Sequence, residues 1–155
     1  MQKKEIVIAK HFISATKKVL KTMAFLDPIP GKPIIKKDAL FPVDISAVIG
    51  VTGTCTGSIS VSFTHAAALA VVKGMLGDDI SDPEQDAKDA VGEIINMISG
   101  MTRASLAESG LPMQGSTPSV VTGKEHGITH LSRAPVVVIP FDLDESQFVL
   151  EFSLE

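Results

Sequence analysis

The chain has no tryptophan, no tyrosine and only one cysteine, Cys55. A lone thiol cannot close an internal disulfide, so packing alone must hold the fold, as suits a reducing compartment. There is no lysine- or arginine-rich run, and the formal net charge is −4. Without a basic face or Tyr and Trp rings to stack on bases, the chain is a poor candidate for binding nucleic acid. Charge is missing altogether from Ile45 to Val72, a stretch longer than the ~20 residues that span a bilayer. Its content argues against a span, because Ser46, Thr52, Thr54, Thr56, Ser58, Ser60, Ser62, Thr64 and His65 interrupt it, with Gly50, Gly53 and Gly57. Near the start, Ile6 to Ala9 runs straight into Lys10, short of the roughly 7–15 apolar residues of a secretory leader. A cytoplasmic protein without membrane contact is expected.

What is present is enough for a core. At 155 residues, with 45% hydrophobic and 21% charged, the chain is expected to fold as a single domain, 1–155. A chain of that size buries roughly 68–70% of its unfolded surface. No low-complexity tract occurs, and no internal repeat is convincing.

Apolar residues Ile6, Ala9, Ile13, Leu20 and Met23 recur at helical spacing, with Lys17, Lys18 and Lys21 outside, which predicts a helix from Glu5 to Met23. Asp27 to Pro33 holds Pro28, Pro30 and Pro33 and is expected to be a loop without regular structure. Lys36-Lys37-Asp38 extends it as a polar connection. Asp44 to Val51 reads as a strand. Gly57, Ile59, Val61 and Phe63 alternate with Ser58, Ser60 and Ser62, the period of a half-buried strand. Thr64 caps a helix from His65 to Leu76, stopped by Gly77. Ser81-Asp82-Pro83-Glu84 opens a longer helix running to about Ser109, before Gly110 and Pro112. Strands follow at Ser119 to Thr122, Pro135 to Phe141 and Gln147 to Leu154. In the last, Phe148, Leu150, Phe152 and Leu154 face one way and Val149, Glu151 and Ser153 the other. The order α-β-β-α-α-β-β-β indicates an α+β fold, helices laid on an antiparallel sheet.

The long helix is the informative element. At about 100° per residue, Val91, Ile94, Ile98, Met101 and Thr102 gather on one side as a core stripe. Asp89, Gly92, Glu93, Asn96, Ser99, Gly100 and Arg103 gather on the other. Asn96 thus stands between Gly92 and Gly100, each about 1 kcal/mol worse for the helix than alanine. A face so trimmed would let another protein's backbone approach, with Glu93 and Asn96 as its prominent side chains; the alternative reading is an ordinary solvated helix face.

The run Asp89-Ala-Val-Gly-Glu93-Ile-Ile-Asn96-Met-Ile-Ser-Gly100 closely resembles the active helix of the CheC/CheX/FliY family of chemotaxis phosphatases. The family signature is Asp or Ser, three residues, Glu, two residues, Asn, and a proline some two dozen residues on; Asp89, Glu93, Asn96 and Pro118 match it. His11 to Met23 is similar to the family's first helix. Ile49-Gly-Val-Thr-Gly53 to Phe63, Met75-Leu-Gly77 and Ile139-Pro-Phe141 through Leu154 resemble its sheet segments. Only one Glu-x-x-Asn helix is found, since Glu5 is followed three residues on by Ile8; this favours the CheX branch over CheC, which has two.

The resemblance implies hydrolysis of the aspartyl phosphate on a CheY-type response regulator, which brings its own Mg²⁺ and lysine, so this chain needs no cofactor. What is left to supply is a water held in line with the leaving carboxylate. The resemblance gives that role to Asn96, whose carboxamide accepts and donates without titrating, and to Glu93 a pairing with the regulator's lysine. Asp89, Gly92, Gly100 and Arg103 are expected to belong to the partner-binding face. The resemblance also implies a homodimer, which sequence alone would permit through an unpaired strand edge. The alternative function is a non-catalytic module docking on a receiver domain through the same face.

Other candidates are weaker. His126 and His130 bracket Gly127 with no third ligand in sight, so no metal site is expected. His11 and His65 read as helix-end or partly buried residues. Gly50, Gly53 and Gly57 lack the Gly-Lys-Ser/Thr ending of a phosphate loop. Cys55 has no neighbouring base to activate it. Met75, Met97 and Met101 read as core filler.

Overall fold

The computed structural model describes residues 1–37 and 41–155. Three helices, α1 (Lys3–Ala24), α2 (His65–Leu76) and α3 (Pro83–Glu108), accompany eight strands. The strands are β1 (Ile29–Pro30), β2 (Ile34–Ile35), β3 (Val43–Gly53), β4 (Gly57–Phe63), β5 (Met113–Gly115), β6 (Ser119–His126), β7 (Val137–Leu143) and β8 (Ser146–Leu154). The fold is α+β, as expected. One antiparallel sheet runs β1-β7-β8-β4-β3-β5, with β2 also on the outer side of β7 and β6 on the outer side of β3.

Registers explain the core. Ile45, Ala47, Ile49 and Val51 of β3 stand opposite Phe63, Val61, Ile59 and Gly57 of β4, which in turn meet Phe148, Leu150, Phe152 and Leu154 of β8. All these side chains share the face under the helices, because successive residues of a strand alternate sides. Phe12 of α1 stacks on Phe152 at 5.0 Å, and Phe148 lies between Phe63 at 4.9 Å and Phe141 at 4.8 Å. Such ring pairs add about 0.5–1.5 kcal/mol beyond their area.

The prolines between Asp27 and Pro33 do not exclude regular structure: β1 lies there and β2 directly after it, both paired to β7. Both are edge strands of two residues, and an edge tolerates proline because only alternate N–H groups must bond inward. Gly31 donates to Pro140 O at 2.7 Å and Lys36 to Val136 O at 2.8 Å. A Cβ on Gly31 would lie 2.8 Å from Pro140 Cγ, so the approach needs glycine. The Asp38 end of the expected polar connection lies outside the described residues. β5 has no counterpart among the expected strands, and β6 continues past Thr122 to His126.

The expectation of a half-buried strand fails for β4, and β8 beside it is buried on both sides as well. Ser60, Ser62, Val149, Glu151 and Ser153 are buried although they face away from the helices. Residues 123–134 and Lys36 cover that side. Ser46 Oγ lies 2.7 Å from both Ser62 Oγ and His126 Nε2, and His126 Nδ1 donates to Gly123 O at 2.6 Å. His130 Nδ1 meets Ser58 Oγ at 2.6 Å, while Ser153 Oγ donates to Ala134 O at 2.9 Å. Lys36 Nζ donates to Glu151 at 2.7 Å and to Ile128 O at 3.0 Å. Alternating serines thus mark a polar interior layer rather than a wet face. Among the described residues no helix is long and apolar enough to cross a membrane.

Candidate functional site

Helix α3 is held by its N-terminal caps and by its buried stripe. Asp82 accepts from the Gln85 N–H at 3.3 Å, and Asp86 accepts from the N–H groups of Ser81 and Asp82 at 3.1 and 3.2 Å. Carboxylates at a helix N-terminus satisfy orphan donors and suit the dipole. Val91, Ile94, Ile95, Ile98, Thr102 and Leu106 are buried against the sheet and α1. That stripe fixes the rotation of the helix, so the opposite side cannot turn inward.

Glu93 and Asn96 accordingly project into solvent. Among the described residues neither side chain enters a hydrogen bond or ion pair, and both remain free for an external partner. Above them Gly100 opens on nothing within 4 Å, whereas a Cβ on Gly92 would touch Val120 Cγ2 at 3.5 Å. The two flanking glycines therefore differ. Gly100 leaves the helix surface bare, and Gly92 is half-covered by β6. Asp89 is exposed and accepts from Gln85 Nε2 at 3.0 Å.

Arg103 and Ser99 depart from the expected open face. Ser99 has 0% of its surface exposed. It accepts from Arg103 Nε at 3.0 Å, and a Cβ on Gly115 of β5 would lie 3.0 Å from that same nitrogen. The guanidinium is thus laid over the edge strand. This flank of α3 is where the β5–β6 edge rises beside it, with half-buried Pro118 in the joint between the two strands. Asn96 sits one turn from Gly92 and one from Ser99, so it stands above that joint. The spacing of Pro118 signals this proximity; nothing local in the sequence does.

Met97, expected in the core, is 39% exposed and lies beside Asn96 on the outer side. Val120 and Val121 are also exposed. Met75 and Met101 do pack against the core. Cys55 is buried.

His126 and His130 serve the opposite side of the sheet. Burial first, and then the Lys36 charge, push the His130 imidazole down to about 4. A base so weak is unsuited to activating Ser58 near neutral pH, so the Ser58–His130 contact is structural. His126 and His130 bond different serines and converge on no common point. His65 is an exposed helix-end residue, and His11 Nδ1 meets Ser105 Oγ at 2.5 Å between α1 and α3. Asp44 accepts from the backbone N–H groups of Glu125 and His65, which hold its carboxyl below the usual range.

Comparison with known proteins bears on the same helix. Residues 45–142 match the family described as chemotaxis phosphatase CheX. The curated CheY-P phosphatase CheX of Thermotoga maritima is 28% identical over 150 residues, covering 96% of each chain. A solved chemotaxis protein CheX from Desulfovibrio desulfuricans is 55% identical at TM-score 0.91, covering 96% of this chain and 99% of that one. The CheX of a Borrelia burgdorferi CheX–CheY–BeF3–Mg²⁺ complex shares the fold at TM-score 0.79 and 21% identity, covering 95% of this chain and 97% of that one.

Proposed function

Because this chain belongs to the chemotaxis phosphatase CheX family, we propose that it dephosphorylates a CheY-type response regulator by presenting Asn96 to the aspartyl phosphate. The observation that carries this reading is the pair Glu93 and Asn96, unpartnered on the outward side of a helix whose rotation is fixed. An acyl phosphate is already activated, so positioning supplies most of the acceleration. The Asn96 carboxamide accepts one hydrogen of the attacking water and donates from its own nitrogen, and it stays neutral at every working pH. Glu93, one turn back, pairs with the receiver's lysine and sets how far the helix enters. Bare Gly100 admits the receiver's backbone; Asp89 flanks the contact, and Gly92 and Arg103 shape its edge-strand side.

The cation belongs to the receiver in this reading. Asp89 and Glu93 are the acidic groups of the face, and among the described residues no three His, Cys, Asp or Glu side chains converge to hold a metal. The Borrelia relative is known as a complex with CheY, BeF3 and Mg²⁺, which supports a receiver as the partner. We also assign the subunit contact of a homodimer to β6, whose residues are nearly all exposed and whose outer edge has no partner strand among the described residues. Such an edge is a template for pairing with a second copy.

Phosphate release from a phosphorylated receiver, taken as the excess over the receiver's own hydrolysis, tests the mechanism. Asn96→Ala keeps helix propensity and should lower that excess rate by at least ~10²-fold, about 2.7 kcal/mol, with a much smaller loss of binding. A variant that keeps most of the excess rate refutes water positioning and favours the docking-module alternative.

A further inference from the structure

Charge is distributed very unevenly between the helices. Helix α1 carries Lys3, Lys4, Lys10, Lys17, Lys18 and Lys21 against one acid, Glu5, a net of +5. With −4 on the whole chain, everything outside α1 sums to −9. All six lysines are exposed, and among the described residues none lies within 4 Å of a carboxylate.

The packing brings this basic helix beside the candidate site. His11 of α1 meets Ser105 of α3. Ile8, near the start of α1, lines a cleft with Phe152 and Leu154. The end of α3 leads to Pro112, which accepts from Thr54 at that same end of the sheet. The two helices therefore run antiparallel. Both rise about 1.5 Å per residue, so seven residues on from His11, Lys18 comes level with Ile98 and its exposed neighbour Met97. Neighbouring helix axes lie about 8–10 Å apart, so Lys18 and Lys21 stand level with Asn96 one helix over, on the flank of α3 away from β5 and β6.

The target of Asn96 is anionic. An aspartyl phosphate and the carboxylates needed to hold Mg²⁺ give its surroundings a negative field. Helix α3 alone would repel it, through Asp86, Asp89 and Glu93. We propose that the lysine face of α1, led by Lys18 and Lys21, is the steering half of the docking surface and draws the receiver's acidic concavity onto α3. This inference rests on the proposed function. Fields of this kind act on encounter rather than chemistry, and raise association 10- to 10³-fold at low salt.

The test compares Lys18→Glu/Lys21→Glu with Lys3→Glu/Lys4→Glu, which changes net charge equally at the far end of the helix. Excess phosphate release is measured against phosphorylated receiver concentration, with melting followed for each variant. At ~0.01 M salt, where charges reach about 30 Å, the first variant should raise KM roughly tenfold or more with kcat unchanged. The difference from the parent should shrink at ~0.15 M salt, and Lys3→Glu/Lys4→Glu, about 22 Å further along the helix, should raise KM clearly less. Equal KM shifts in both variants would overturn the proposal in favour of net charge alone. No shift in either would overturn it in favour of a different acidic occupant of α1. A parent without excess phosphate release would overturn the function itself, and this inference with it.

Discussion

Replacing Lys36 with methionine isolates the polar layer on the far side of the sheet. Lys36 Nζ lies 2.7 and 3.2 Å from the two Glu151 oxygens and 3.0 Å from Ile128 O. The side chains are 14% and 6% exposed. Methionine fills similar volume but leaves the Glu151 carboxylate, among the described residues, with only His130 Nε2, 3.9 Å away. Removing one member of a buried pair typically costs about 3–5 kcal/mol, a large share of the roughly 5–15 kcal/mol of a folded domain. At an m-value near 2 kcal/mol/M, the urea midpoint at pH 7.5 should drop by about 2 M. Lys36→Met/Glu151→Met should recover most of it, since an apolar pair restores balance.

The dependence on pH supplies a second readout. In the parent His130 titrates at about 4, below its ordinary 6.5. Between those values the unfolded chain binds the proton first, so stability falls as pH drops from 6.5 towards 4. The slope is at most about 1.4 kcal/mol per pH unit, less whatever solvent screens. In Lys36→Met the repelling ammonium is gone and an unpaired carboxylate faces the ring, which raises the imidazole pKa. The variant should then lose less on acidification, and the two curves should converge. A loss below about 1 kcal/mol at pH 7.5, or parallel pH profiles, would show that Glu151 keeps access to water and refute the buried-layer account.

Glu93→Lys should leave the melting temperature nearly unchanged, because the side chain is exposed and unpartnered; pull-down with phosphorylated receiver should show much weaker binding, and parent-like binding would refute the pairing with the receiver's lysine. Gly100→Ala adds a methyl to open space and should raise stability by up to about 1 kcal/mol while raising KM for the receiver; thermal melts and steady-state kinetics check the opposite signs. Val121→Lys places a charge on the exposed β6 edge and should shift a homodimer towards monomer by light scattering, with the fold retained by circular dichroism.

Much of this architecture is legible in the residues. Periodicity marks α1 and the core stripe of α3, and the caps at Thr64 and Asp82 place the starts of α2 and α3. The spacing of Asp89, Glu93 and Asn96 is a property of one helix, so it can be read without any tertiary contact. What lies on top of an element is a different matter. Alternating Ser58, Ser60 and Ser62 shows that one side of β4 is polar, and cannot show that Lys36 and the distant His126 and His130 close over that layer. Pro30 forbids an interior strand, yet the edge of β7 is decided by which strands pair, and there the proline fits. Ser99 and Arg103 share a helical side with Asn96; β5 buries the first and captures the second because Gly115 has no side chain to hold them off. Met97 is apolar but lies on the outer side of α3 and stays wet. Local sequence determines which residues share a side of a helix or strand. Only the packing of distant segments decides whether that side meets water, a neighbour or a partner.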